Sequence, residues 1–292
     1  MAVSIRAALT EAAEGLRTRD VAEPGLNASL LLGHVLQRDR VFLIAHAEDE
    51  VAPPQLEAFQ ALLSRRSDGE PLQYLTKHQE FFKLDSEVTA DVLIPRPETE
   101  LLVEAALEVL PPGSELQFAD LGTGSGCVAI SVLHERPQAS ATAIDISDCA
   151  LAVARKNAER HGVTSRLRLV SSDLFTGVAA GELFDLIVSN PPYVSDAEMK
   201  TLQPEVKWEP AAALAGGPDG LTIIRRLLND GSAHIRTAGY MIFEIGWGQS
   251  EKIPALIDTE VWTLVEIRRD LASIPRAVVL KKNSSVLRSS GS

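Results

Sequence analysis

The sequence predicts an α/β protein: a Rossmann-like, doubly wound and mostly parallel sheet domain, preceded by a small all-helical domain. Three observations predict it. The first seventy or so residues place apolar side chains at helical spacing only. From residue 115, short apolar runs alternate with helical patterns, as βα units in a parallel sheet do. One of these transitions carries a glycine-rich loop, Asp120-Leu121-Gly122-Thr123-Gly124-Ser125-Gly126, where open parallel sheets meet their ligands. With 292 residues, the chain can bury a core without metal or disulfide staples.

In the helical domain, expected over 1–70, Ile5, Ala8, Leu9, Ala12 and Leu16 form one apolar face. A second apolar block runs from Ala28 to Leu36. A third begins at Pro53-Pro54, a favourable helix start, and includes Leu56, Phe59, Leu62 and Leu63. This domain reads equally as a packing module or as a docking surface for a macromolecule. Ser67-Asp68-Gly69 is a break. Residues 71–93 have β-type character at Phe81-Phe82, Leu84, Val88 and Val92, and are expected to form a hairpin bridging two domains.

The sheet domain is expected over 94–284. A helix should run from Pro97 to about Leu110, ended by Pro111-Pro112-Gly113. Strands are expected at 116–120, 141–145, 166–170, 183–189 and 239–245. Helices are expected at 125–135, 148–161 and 219–234. The runs 263–267 and 277–281 could pair antiparallel at the sheet edge. The polar end, 285–292, is expected to be a disordered tail.

Composition narrows the function classes. With 28 Lys+Arg against 40 Asp+Glu, the net charge of -12 disfavours indiscriminate binding of a phosphate backbone. Acids also outnumber bases within residues 1–75. Cys127 and Cys149 share no metal-ligand spacing, so no metal site is expected, and two thiols suit a reducing cytosol. The start has neither signal-peptide nor transit-peptide character, and no run reaches the ~18 apolar residues of a membrane span. A cytoplasmic location without membrane contact is therefore expected. There is no Walker lysine loop, His-Glu-x-x-His or Gly-x-Ser-x-Gly elbow.

The glycine loop alone is compatible with a plain strand-to-helix turn or with a nucleotide site. Its Gly-x-Gly-x-Gly spacing departs from the dinucleotide fingerprint. Asp145 ends the next strand, where a carboxylate can accept hydrogen bonds from a ribose diol; this suits NAD and S-adenosylmethionine alike. Asp173 follows the third strand, in position for an adenine amino group or for a turn cap. Asn190-Pro191-Pro192-Tyr193 narrows the choice. Two prolines stiffen the backbone after an apolar strand. An Asn oxygen and a neighbouring carbonyl can then hold both hydrogens of a planar amine or amide, and a tyrosine face can stack on it. Orientation of this kind attacks the poor nucleophilicity of an amide nitrogen.

Asp120–Gly126 together with Asn190–Tyr193 resembles a class I S-adenosylmethionine-dependent methyltransferase acting on an amino or amide nitrogen. Glu70-Pro71-Leu72-Gln73-Tyr74-Leu75-Thr76, Ile94-Pro95-Arg96-Pro97-Glu98-Thr99-Glu100, Trp208-Glu209-Pro210 and Leu214–Leu221 narrow the likeness. Together they resemble the peptide chain release factor glutamine N5-methyltransferases, the PrmC/HemK family, over nearly the whole chain. The resemblance implies a helical domain, a linking β-hairpin and a seven-stranded methyltransferase domain. It implies S-adenosylmethionine as cofactor, S-adenosylhomocysteine as product, and the glutamine of the Gly-Gly-Gln motif of bacterial release factors as substrate. By that resemblance Gly122, Thr123, Gly124, Ser125, Gly126, Asp145, Asp173, Leu174 and Asn190 bind the cofactor. Asn190, Pro191, Pro192 and Tyr193 bind the amide, with Asn190 and Tyr193 catalytic, and segment 94–100 lines the site.

Two positions depart from the family pattern. Lys77 stands where glycine is usual, and Leu174 where some members carry an aromatic residue. His78 and His161 suit surface or packing roles better than a base. A monomer acting on protein, without direct nucleic-acid binding, is expected. An adenine N6-methyltransferase acting on DNA or RNA could use the same four-residue cradle for a flipped base. A nicotinamide-dependent oxidoreductase, or a nucleotide-binding module without catalysis, would use the glycine loop and Asp145 but leave residues 190–193 without a task.

Overall fold

A computed structural model describes residues 3–284; the tail expected at 285–292 lies outside the described residues. The chain forms two compact units. One runs up to His78 and includes Gln203–Trp208; the other comprises Gln79–Leu202 and the chain from Glu209 onward.

In the first unit, helices α1 (Ile5–Arg17), α2 (Pro24–Leu36), α3 (Arg40–Ala45) and α4 (Pro53–Ser67) enclose a core. Helix α1 starts where the Ser4 hydroxyl accepts the Ala7 N–H at 3.2 Å. It buries Ile5, Ala8, Ala12 and Leu16, as the spacing predicts. The unit is not purely helical. Strand β1 (Val3–Ser4) pairs antiparallel with β2 (Glu50–Val51). Arg66 is only 3% exposed. Its guanidinium donates to Asn27 Oδ1 at 2.7 Å and to the Glu70 carbonyl at 3.2 Å, and pairs with Glu205. Glu70 in turn accepts two bonds from Arg65, at 2.8 and 2.6 Å. A buried guanidinium without such partners would cost several kcal/mol, on the order of 3–5.

Residues 72–76 correct the β-type reading of 71–93. They form a short helix, α5 (Leu72–Thr76), which buries both Tyr74 and Leu75, with Leu75 joining the core of the first unit. Lys77 caps α5 at φ 56, so the left-handed conformation that favours glycine is present without one. The hairpin itself is shorter than expected, β3 (Gln79–Phe81) with β4 (Leu84–Ser86). It belongs to the second unit, where Phe81 is buried, Asp85 pairs with Arg160 and Glu100 accepts the Phe82 N–H at 2.9 Å.

The second unit holds a seven-stranded sheet. Strands β5 (Gln117–Leu121), β6 (Ser140–Asp145), β7 (Leu167–Ser171), β8 (Phe184–Ser189) and β9 (Ile235–Glu244) run parallel. Strands β10 (Trp262–Arg269) and β11 (Pro275–Lys282) add the antiparallel part, in the order β10-β11-β9-β8-β5-β6-β7. Alternate residues serve opposite faces: Ala277 and Val279 join one apolar layer, Val278 and Leu280 the other. Helices α6 (Glu100–Val109), α7 (Cys127–Glu135) and α8 (Asp148–Arg160) contribute to the first layer, while α9 (Ala211–Leu214) is a single turn in a loop. Helix α10 (Thr222–Gly231) contributes Ile224, Leu227 and Leu228 to the second layer. Strand β9 starts at Ile235, earlier than the apolar run indicates. Its pairing to β8 jumps from Ile235 to Tyr240 across a bulge with Ala238 at φ 62. The chain leaves β5 toward β6 and β7 and then returns to β8 and β9, so strand order reverses at β5. The carboxyl ends of β5 and β8 therefore flank a switch-point crevice.

Candidate active site

The loop after β5 is organised by its own acid. Asp120, 2% exposed, accepts the Thr123 hydroxyl at 2.7 Å and the Ala129 N–H at 3.2 Å through Oδ2. Burial pushes its pKa up to about 6 against those stabilising bonds. The Gly122 and Thr123 N–H groups donate to the Ile144 carbonyl at 2.8 and 3.0 Å, tying the loop to β6. Asp145 closes β6, and its two oxygens accept the Gly124 and Ser147 N–H groups, both at 2.9 Å. Burial raises its pKa too. An ionised carboxylate has more lone pairs than these two bonds consume, so each oxygen can still accept a hydroxyl donor.

The crevice opens into a cavity of about 370 Å³. Gly122, Thr123, Gly124, Ser125, Asp145, Asp173, Leu174, Asn190 and Pro192 all line it; Gly126, Pro191 and Tyr193 do not. Gly126 serves instead as the N-cap of α7 at φ 82. Asp173 is ion-paired with Arg226 at 3.0 Å, and both face the cavity. Leu174 stands at φ 50, a strained conformation for leucine.

The segment after β8 is held differently. Ser189 donates to the Leu121 carbonyl at 2.7 Å, fixing the end of β8 against β5. Asn190 follows, and its Nδ2 donates to Thr99 Oγ1 at 3.0 Å. The Thr99 hydroxyl donates to Glu244 Oε2 at 2.7 Å, and the Tyr193 hydroxyl donates to Glu244 Oε1 at 3.0 Å. Gln249 secures the backbone by donating to the carbonyls of Tyr193 (3.0 Å) and Gly220 (3.2 Å) while accepting the Gly246 N–H at 2.8 Å. Burial and the Glu244 charge push the Tyr193 phenol well up. Burial raises Glu244 against the bonds from Thr99 and Tyr193. Segment 94–100 is braced by buried Glu209, which accepts the Ile94 N–H at 3.1 Å and pairs with Arg96.

A family model described as the PrmC N-terminal domain matches residues 7–76, and one described as the methyltransferase small domain matches 98–214. A "Release factor glutamine methyltransferase" of Koribacter versatilis is 39% identical over 284 residues, covering 97% of this chain and 100% of that protein. One of the same description from Moorella thermoacetica is 43% identical over 254 residues, covering 87% and 89%. The chain belongs to the release factor glutamine methyltransferase family. For the fold alone, a solved methyltransferase from Pyrococcus furiosus superposes with a TM-score of 0.51 at 19% identity, covering 77% of this chain and 98% of that one.

The residues present fit the family's S-adenosylmethionine. The Ser125 hydroxyl is buried on the cavity wall and has no partner beyond the adjacent Cys127 thiol. Asp145 and Asp173 offer carboxylates for a diol and an amine, while Val92, Leu93, Ile146 and Ile223 add apolar wall. Other candidate groups are engaged elsewhere. Burial and the Asp120 charge push the Cys127 thiol up to about 12, so it stays protonated. His161 shares a hydrogen bond with the Asp85 carbonyl at 2.7 Å, and among the described residues no histidine lines the cavity. For a methyltransferase of this family, sequence reasoning missed Glu244, Gln249 and the task of Thr99. One signal was there: a glutamate inside an otherwise apolar strand, Met241-Ile242-Phe243-Glu244-Ile245. Among the described residues, no helix is long and apolar enough to cross a membrane.

Proposed function

We propose that this chain transfers a methyl group from S-adenosylmethionine to the side-chain amide nitrogen, N5, of the glutamine in the Gly-Gly-Gln motif of peptide chain release factors. It acts as a cytoplasmic monomer on protein rather than on nucleic acid. The observation that carries this reading is the carboxamide of Asn190, oriented by Thr99 and lining the same cavity as the glycine loop. The relatives' names support the substrate class.

Bound in the cavity, the cofactor supplies an electrophilic methyl group on a positively charged sulfur. The glycine loop, Ser125 and Asp145 would hold it, and Asp173 and Leu174, which line the same cavity, would receive its adenine. Asn190 Oδ1 accepts one N–H of the glutamine amide, and a backbone carbonyl of the 190–193 segment accepts the other. Held by both hydrogens, the nitrogen would be presented to the methyl donor. Its delocalised lone pair reacts because orientation and exclusion of water lower the barrier. Pro191 and Pro192 keep the cradle stiff, and Tyr193, tied through its hydroxyl to Glu244, anchors its far end. The nitrogen gives up one proton, and water takes it.

The test is mass spectrometry of a release factor incubated with the chain and S-adenosylmethionine, looking for one added methyl on the Gly-Gly-Gln glutamine. Asn190→Ala is expected to lose at least ~100-fold in turnover, in line with the loss of one preorganised polar contact. Binding of the cofactor should survive in part. Near-normal turnover in that variant, or label from the cofactor entering DNA or RNA and not the release factor, overturns the reading.

A further inference from the structure

We infer that Glu244 is the positioning residue of the amide cradle, setting through Thr99 and Tyr193 which end of the Asn190 carboxamide faces the substrate. The inference rests on the methyl-transfer reading of the site. Glu244 closes β9, is 1% exposed and touches the cradle at two points, the hydroxyls of Thr99 and Tyr193. A carboxylate is rarely buried this deeply in a strand without a task, since taking it out of water is unfavourable unless partners satisfy it.

The argument is one of hydrogen-bond direction. An ionised carboxylate only accepts, so both hydroxyls must point their hydrogens at Glu244. Threonine has one hydroxyl hydrogen. Once it is committed to Glu244, Thr99 Oγ1 can offer Asn190 only lone pairs. The Asn190 group facing Thr99 must then be the NH2 end, consistent with Nδ2 at 3.0 Å. Oδ1 is left for the substrate, where an acceptor for an amide N–H is required. With a neutral side chain at 244, Thr99 could donate to Asn190 instead. The carboxamide could then rotate by half a turn and set NH2 against the NH2 of the incoming glutamine. The same carboxylate anchors Tyr193, so a single charge orients the first and the last residue of the cradle.

The charge must persist for this to hold. Around Glu244 stand Arg276 on β11, Glu98 in the turn before α6, Cys127 on α7, and the hydroxyls of Thr99 and Tyr193. Burial and Glu98 favour the protonated acid; Arg276 and the two hydroxyls favour the anion. Protonation turns one Glu244 oxygen into a donor, so the fixed direction weakens and activity is expected to fall on the acid side.

The experiment compares the full-length wild type with E244Q, an isosteric change, using release factor and S-adenosylmethionine. Turnover in E244Q is expected to fall 10- to 100-fold, with the cofactor Kd unchanged within about twofold by calorimetry, because the glycine loop does not touch Glu244. The acid limb of the kcat profile, present in the wild type, should be missing in E244Q. T99V should lose turnover as E244Q does, T99S should recover most of it, and the double variant E244Q/T99V should lose no more than either single change. E244Q with turnover within twofold of wild type, an unchanged acid limb, or additive losses in the double variant overturns the positioning role. If the wild type itself transfers no methyl to release factor, the methyl-transfer reading fails instead, so the two failures are distinguishable. Should E244Q prove poorly folded by thermal melting, T99V against T99S carries the same test.

Discussion

The glycine loop and the amide cradle are both built around a buried carboxylate, yet they are assembled in opposite ways. Asp120 draws its partners from 3 and 9 residues along the chain. Glu244 draws its partners from 51 and 145 residues away. The loop is thus largely a local object, complete once β5, β6 and α7 are formed. The cradle needs the segment before α6, the end of β8 and the end of β9 to be brought together at once. Closing such long loops costs entropy that only the finished sheet repays. The difference suits the division of labour. A cofactor site can be a standard turn that many nucleotides would fit, whereas an amide must be oriented by several rigid pieces from independent directions.

The sharpest way to break this comparison is to titrate the local carboxylate. The folded pKa of Asp120 is raised from 3.8 to about 6, so in that window the folded chain binds more protons than the unfolded one. Stability therefore falls as pH rises from about 4 to about 6, then levels off, by up to about 3 kcal/mol at 1.36 kcal/mol per pKa unit. Chemical denaturation across this range should show a stability that falls more steeply with pH in the wild type than in Asp120→Asn, the difference being the Asp120 contribution. Equal slopes would mean that Asp120 is not the loop's titrating anchor.

Next in size is Gly220→Ala. Gly220 stands at φ +76, and an added Cβ would run into the Tyr193 carbonyl and the Gln249 amide. A displaced cradle is expected to cost about 100-fold in turnover, the scale of a 1 Å misplacement. Cofactor affinity should be unchanged if loop and cradle are independent. A large rise in cofactor Kd in this variant would show that they are not.

The mirror experiment is Gly126→Ala, and it should be the mildest of the three. Gly126 is at φ +82, and its Cβ would meet Ile130 Cδ1 at 2.9 Å and Ala154 Cβ at 3.2 Å. The neighbours can give by a few tenths of an ångström, so the expected effect is about 1–2 kcal/mol from the left-handed backbone alone. Equilibrium binding should report a cofactor Kd roughly tenfold weaker, with turnover at saturating cofactor nearly intact. A loss of turnover without a loss of affinity would contradict the local character of the loop.

How much of this could be read beforehand follows the same division. The glycine loop and Asp145 were legible because strand, turn and helix are consecutive, and the Asp145 oxygens accept the backbone N–H groups of Gly124 and Ser147. Asn190-Pro191-Pro192-Tyr193 was legible as a motif, but its supports were not. Nothing in the neighbourhood of Thr99 announces that its hydroxyl bridges Asn190 and Glu244. Gln249 sits in a glycine-flanked turn that carries no signal of its reach to Tyr193 and Gly220. Residues 72–76 misled because their apolar side chains fit either a strand or one helical turn, and packing of Tyr74 and Leu75 decided for the turn. The bulge at Ala238–Gly239 hid the first residues of β9 for a related reason, since a left-handed residue interrupts the alternation by which a strand is recognised.

By itself, then, the amino-acid order determined most of the strands and helices of the sheet domain, where the turn glycines fall, and which short motifs end at the same edge of the sheet. Those properties depend on neighbours within about ten residues, whose side-chain periods and backbone preferences act before any long-range contact forms. Only the tertiary structure decided the direction of the Asn190 carboxamide and the engagement of the Tyr193 hydroxyl. Both depend on the buried Glu244 carboxyl at the end of β9, and a hydrogen bond acquires its direction only when donor and acceptor are fixed in space together.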